Sequence, residues 1–175
     1  MNIKSLIRSV PDFPKPGIRF RDITPLLASS TGLRHITREL ANRYEGKVDK
    51  VAAIEARGFI FGSMLAHALN AGFVPIRKPG KLPGETIGHN YSLEYGINRV
   101  ELHVDAVAPD ERVVVVDDLL ATGGTARAAL ALLERLHARV VGCAFVIDLP
   151  EVGGRAKLER AGYEVHALCS YVDAE

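Results

Sequence analysis

The stretch VVVVDDLLATGGT, Val113 to Thr125, sets two kinds of chemistry side by side. Asp117 and Asp118 are adjacent carboxylates, and an ionised carboxylate only accepts hydrogen bonds. Ala121, Thr122, Gly123, Gly124 and Thr125 form a turn that runs into an Ala/Leu-rich segment. Glycines let a backbone approach a ligand closely, and a helix N-terminus offers free N–H groups and a partial positive charge, a combination that suits a phosphate. The threonine hydroxyls add two donors. Neither G-x-x-x-x-G-K nor G-x-G-x-x-G occurs in the chain, and the turn has no lysine of its own. Two carboxylates beside a phosphate repel it unless they face something else, either sugar hydroxyls or a magnesium ion. A phosphorylated ribose satisfies both halves of the loop. Asp and Gly are common in ordinary strand-to-helix turns, so the two aspartates by themselves would mean little; the whole string asks for more.

Two other stretches carry charge at the end of an apolar run. EARGF, Glu55 to Phe59, follows one run and opens the next helical segment, the same layout as the quoted loop. Arg77, Lys78 and Lys81 cluster after another. Alone, these read as a charged strand end and a solvated basic turn.

The elements that must hold these residues alternate. VAAIEA (51–56), FVPIRK (73–78), the valine run, RVVGCAFVIDL (139–149) and EVHALCSYV (164–172) read as strands. Helical spacing is expected over 31–44, with Thr31 as its cap, over 58–70 with Gly72 as its stop, over 125–137, and near 154–161. Alternating strands and helices give an α/β fold with a central parallel sheet flanked by helices. Val113 to Val116 shows no in/out alternation, as expected of a strand covered on both faces. VPDFPKPGIRFRDITPLL is Pro-rich and irregular. The segment from Pro79 to Gly96 is rich in Gly and Pro, an arm with little expected regular structure.

A chain of 175 residues, 47% hydrophobic and 25% charged, suits one domain spanning 1–175. A net charge of +1 gives no bulk electrostatic reason to bind nucleic acid or a membrane surface. No apolar run approaches the roughly 18 residues of a membrane span, and the N-terminal stretch lacks a secretory apolar core. Cys143 and Cys169 are expected as reduced core thiols, which with the rest suggests a cytoplasmic protein. The six histidines show no metal-ligand spacing, so no protein-built metal site is expected.

VVVVDDLLATGGT resembles the phosphoribosyl-pyrophosphate (PRPP) motif of the type I phosphoribosyltransferases. PDFPKPGIRFRDITPLL, EARGFIFG, IRKPGKLPGET and YSLEYG resemble, in the same order, the adenine phosphoribosyltransferase family. The resemblance runs from about Val10 to Thr125. It implies that fold, with a small N-terminal hood (about 10–30) and a flexible arm (about 79–100), and a reaction joining adenine to PRPP to give AMP and pyrophosphate. It further implies that Ala121 to Thr125 take the 5′-phosphate and Asp117 and Asp118 the ribose hydroxyls. Arg57, Arg77, Lys78 and Lys81 would bind pyrophosphate. Phe20 would pack on the purine, with backbone groups around Arg19 and Arg21 reading its edge; where this chain has Arg19, family members often have a small apolar residue. Glu94 would act as acid/base at adenine N7, with Tyr95 supporting the arm. Mg2+ would arrive largely on PRPP, and the family expectation is a homodimer. Two other readings share much of this pattern: a phosphoribosyltransferase for 6-oxopurines, and a non-catalytic PRPP sensor of the same fold.

Overall fold

The computed structural model describes residues 1–93 and 96–172. A 3-10 turn (Ile3–Leu6) leads into the antiparallel pair β1 (Arg8–Val10) and β2 (Phe20–Asp22), with the hood between them. Then come α1 (Thr24–Leu27), α2 (Ser30–Tyr44), β3 (Lys50–Ile54), α3 (Gly58–Ala68), β4 (Gly72–Ile76), β5 (Thr86–Leu93), β6 (Gly96–His103), β7 (Arg112–Leu120), α4 (Gly124–Arg135), β8 (Arg139–Asp148), α5 (Gly154–Arg160) and β9 (Val165–Ser170). The central sheet has the order β4-β3-β7-β8-β9, and every pairing in it is parallel.

The valine run explains its own placement. Val113, Val114, Val115 and Val116 are all fully buried at the centre of that sheet. Val113 and Val115 join the core formed with α4, including Leu130 and Leu133. Val114 and Val116 join the core formed with α2 and α3, including Ile36, Leu40, Phe61 and Leu65. A strand with apolar residues on both faces has no polar side to turn to water, which fixes it in the middle of a three-layer stack. Full burial of each such side chain contributes about 1.5–3 kcal/mol. Cys143 is buried and Cys169 half-buried, and neither forms a disulfide; burial pushes their thiols up to about 12 and about 11.

Three local expectations are corrected. The cap of α2 is Ser29, whose hydroxyl accepts from Gly32 N at 3.1 Å; Thr31 already lies inside the helix. The helix from Gly58 ends at Ala68, with Asn70 in the left-handed region (φ 52°), and Gly72 begins β4. The arm is also more regular than its Gly/Pro content suggested. β5 and β6 form an antiparallel ladder pairing Thr86 with His103 and Tyr91 with Asn98. Both prolines, Pro79 and Pro83, precede β5, so they leave the ladder intact, while Gly88 and Gly96 pair within it. Val100 and Leu102 anchor the base of this hairpin in the α4-side core.

Candidate active site

The loop after β7 is built by strand continuation. Asp117 and Asp118 are still in β7, at its carboxyl end, where ligands sit in open parallel sheets. Alternation turns them to opposite sides of the strand. Asp118 is 5% exposed, and Arg57 from the loop after β3 forms an ion pair with it through Nε. Asp117 Oδ1 accepts from Asp118 N at 2.9 Å. Burial, and secondly the charge of Asp118, push the Asp117 carboxyl well above the usual carboxylate range. Gly58, at the start of α3, packs so closely here that a β-carbon on it would lie 2.8 Å from Asp117 Oδ1.

Beyond the carboxylates the chain turns into α4. Gly123 has φ 77° and is the residue before the helix, a conformation that favours glycine. A pocket of about 110 Å3 is lined by Asp117 and by Ala121, Thr122, Gly123, Gly124 and Thr125, together with apolar residues that include Leu120 and Phe145. Carboxylate and helix N-terminus therefore share one cavity. The Thr125 hydroxyl donates to Tyr91 Oη of the arm at 3.2 Å, and the Tyr91 ring lies 3.4 Å from where a β-carbon on Gly124 would stand. Tyr91 escaped the sequence reading because its partner is 34 residues away and nothing in YSLEYG marks it.

The loop after β3 is held by charge. Arg77 Nη2 pairs with Glu55 Oε1 at 2.8 Å and its Nη1 donates to Lys81 O at 3.1 Å, while Lys78 N donates to Glu55 Oε2 at 2.9 Å. The Arg77 guanidinium holds the Glu55 carboxyl below its usual range. Arg77 thus ties the start of the arm to this loop, while Lys78 and Lys81 are exposed. The Glu55–Ala56 peptide is cis.

The hood approaches the same region through Phe20, whose ring lies 5.6 Å from the Arg57 guanidinium carbon. Phe13 packs edge-on against Phe20, with centroids 5.1 Å apart. Alternation along β2 sends neighbouring side chains elsewhere. Arg21 is buried, bonded to Ser9 Oγ and stacked 3.8 Å over the Tyr171 ring. Arg19 and Arg21 line a separate cavity with Leu149, Glu151 and Tyr171. Any contact they make on the Phe20 side is therefore a backbone contact. Glu94 and Tyr95 lie outside the described residues. Among the described residues no group of three or more His, Cys, Asp or Glu side chains could hold a metal ion, and no described helix is long and apolar enough to cross a membrane. A larger apolar groove of about 480 Å3, between α2 and α3, contains none of these loop residues.

The model of the phosphoribosyl transferase domain matches residues 21–163. An adenine phosphoribosyltransferase of Methylobacillus flagellatus is 58% identical over the full length of both chains. The crystal structure of the adenine phosphoribosyltransferase from Thermoanaerobacter pseudethanolicus superposes with a TM-score of 0.92 at 50% identity, covering 97% of this chain and 98% of that one. The enzyme of Saccharomyces cerevisiae, complexed with an imino-altritol bisphosphate and adenine, gives 0.89 at 38% identity, covering 95% and 96%. With the match spanning most of the sheet and both strand-end loops, the chain belongs to the phosphoribosyltransferase family.

Proposed function

We propose that the cleft bounded by the two strand-end loops, the hood and the arm is the active site of this enzyme. The protein transfers the 5-phosphoribosyl group of PRPP to adenine, giving AMP and pyrophosphate, a purine-salvage reaction. The observation that carries this assignment of the site is the pairing of Arg57 with Asp118, because it joins the loop after β3 to the loop whose pocket contains Asp117 and Ala121 to Thr125.

In this reading Ala121 to Thr125 receive the 5′-phosphate through free backbone amides and threonine hydroxyls. Asp117 and Asp118 accept from the ribose hydroxyls and stabilise the positive character that grows on the ring as the bond to pyrophosphate breaks. Arg57 turns from Asp118 to the departing pyrophosphate, with Lys78 and Lys81 adding charge; the guanidinium fork suits paired phosphate oxygens. Arg77 contributes its field while holding Glu55 and the arm. Phe20 stacks on adenine, and backbone groups of Arg19 and Arg21 read its edge. The β5–β6 hairpin closes as a lid, excluding water that would otherwise capture the ribose. Glu94, steadied by Tyr95, exchanges a proton at adenine N7. Mg2+ carried by PRPP would supply charge neutralisation at its phosphates, with no side-chain cluster of this chain required to hold it. The same reading includes a homodimer working in the cytoplasm.

Pyrophosphate release from PRPP with adenine, against hypoxanthine and guanine as competitors, tests the base assignment; release driven by a 6-oxopurine at the adenine rate overturns it. Glu94→Gln keeps size but cannot exchange a proton near neutral pH. It lowers kcat by about 10²-fold or more, with PRPP affinity unchanged, across roughly pH 5 to 9. Full kcat throughout removes Glu94 from the chemistry.

A further inference from the structure

A phosphate loop works only if its carbonyls turn away, since a carbonyl oxygen aimed at the ligand repels it. Along Ala121 to Thr125 the carbonyls are held by identifiable donors. Gly123 O accepts from Arg127 N at 2.9 Å, within the first turn of α4. The other two donors come from far along the chain: Ala121 O accepts from Gly154 N at 2.9 Å, and Thr122 O accepts from Lys157 Nζ at 3.3 Å. One residue upstream, Leu120 O accepts from Leu149 N at 2.9 Å, so the contact continues the end of the sheet.

The packing allows nothing larger than hydrogen at the centre of this contact. A β-carbon on Gly154 would stand 2.2 Å from Ala121 O and 2.8 Å from Gly123 N, and one on Gly123 would stand 3.2 Å from Gly154 Cα. Two backbones meet face to face. The turn is anchored immediately afterwards: Arg155 Nε donates to Asp148 Oδ2 at 2.6 Å and its Nη1 to Val165 O at 2.9 Å, with Asp148 only 1% exposed at the end of β8. Lys157, exposed on the outer side, brings a positive charge to a turn that has no lysine.

We infer that the Gly153–Lys157 turn is a clamp that holds the phosphate loop with its amides facing the ligand, and that Gly154 and Lys157 are positioning residues for 5′-phosphate binding. The inference rests on the assignment of Ala121 to Thr125 to that phosphate. Neither residue touches the ligand. Each fixes a loop carbonyl, and Lys157 also brings a positive charge beside the loop from an exposed position, where water and salt screen most of its field.

Lys157→Met removes donor and charge from an exposed position, so folding is preserved. Calorimetry then gives a dissociation constant for AMP raised about three- to tenfold, the range of one ordinary net hydrogen bond, as expected for an exposed donor, while adenine and pyrophosphate bind as in the wild type. Lys157→Arg restores AMP binding. Gly154→Ala gives a larger loss with the same selectivity, its fold checked by circular dichroism. Gly123→Ala is the control on the underlying assignment: unaltered AMP affinity there means the loop does not take the phosphate. If Gly123→Ala weakens AMP binding while Lys157→Met binds it normally, or loses adenine equally, the clamp is overturned and the loop assignment stands.

Discussion

The loops after β3 and after β7 leave the same end of one parallel sheet, yet they hold charge in opposite ways. The β3 loop is ionic and internally compensated. Glu55 engages Arg77 and the Lys78 amide, and Arg57 reaches across to Asp118. The β7 loop beyond its carboxylates is uncharged, and presents a helix N-terminus whose first residue follows Gly123 at φ 77°. A doubly or triply charged leaving group needs mobile cations, and cations in a ligand-free cleft need carboxylates to rest on. A phosphate that stays attached throughout needs a fixed cradle, and fixed amides serve it without reorganisation. Asp118 lies where the two devices meet.

The comparison is broken most severely at the carboxylates. Asp117→Asn with Asp118→Asn keeps shape and removes both acceptors' charge. Each charge-assisted hydrogen bond contributes about 1.5–3 kcal/mol, so kcat/KM for PRPP is expected to fall about a hundredfold or more. Steady-state kinetics showing wild-type values in the double variant removes the aspartates from the ribose. The next effect separates the loops. Arg57→Ala weakens pyrophosphate binding about tenfold and flattens its dependence on ionic strength, because the lost contact is a cation partly exposed to salt. AMP binding through the β7 loop is left nearly unchanged. Equal losses for both ligands, measured by calorimetry across salt concentrations, erase the distinction.

A third expectation concerns stability. The Asp117 carboxyl is raised by burial and by Asp118. A carboxyl harder to ionise in the fold than in the unfolded chain stabilises the fold below the usual carboxylate range. That contribution is lost as pH rises through the raised value, leaving a net penalty near neutrality. Asp117→Asn removes the penalty. The ligand-free variant is expected to melt at a higher temperature at neutral pH. The gain shrinks as pH falls toward about 4. A lower Tm at neutral pH contradicts this account of Asp117. The trade is the usual one at a binding site, where charge is kept for the ligand at the expense of the empty fold.

Sequence carried the sheet and the phosphate loop because each is written locally. Val113 to Val116 declares a doubly covered strand, and the Thr-Gly-Gly-Thr turn declares its own backbone. Contacts that depend on distant partners were illegible. Gly154 looks like any helix-starting glycine until Ala121 O is found against it. Asp148 and Arg155 are seven residues apart, a spacing with no helical or strand meaning across a 3-10 turn. The resemblance assigned only backbone groups around Arg19 and Arg21 to the adenine edge, and the cavity their side chains line with Leu149 and Tyr171 depends on elements far along the chain. The arm's hairpin was hidden by counting Gly and Pro over the whole segment, whereas both prolines lie before Thr86 and leave Thr86, Ile87 and Tyr91 to pair in the ladder.

The smallest effect tests whether the cradle is as independent of the arm as the comparison implies. Thr125 donates its hydroxyl to Tyr91 Oη in the ligand-free protein, so one proposed phosphate donor is held by β5. When the phosphate arrives, that proton can turn to it and leave Tyr91 Oη as a donor in its own right. Tyr91→Phe deletes the oxygen and keeps the ring beside Gly124. A neutral, half-exposed hydrogen bond contributes about 0.5–1.5 kcal/mol, so AMP affinity is expected to change by about two- to threefold, the exchange of partners cancelling part of the loss. Thr125→Val removes the other end and weakens AMP binding further, because it also deletes the phosphate donor. The informative measurement is the double variant. If the hydroxyl pair is the only link, Tyr91→Phe is silent in the Thr125→Val background, and the coupling energy equals the single effect. A Tyr91→Phe effect that persists undiminished there means the arm supports the cradle by packing its ring on Gly124, and the fixed cradle and the moving arm are then one device.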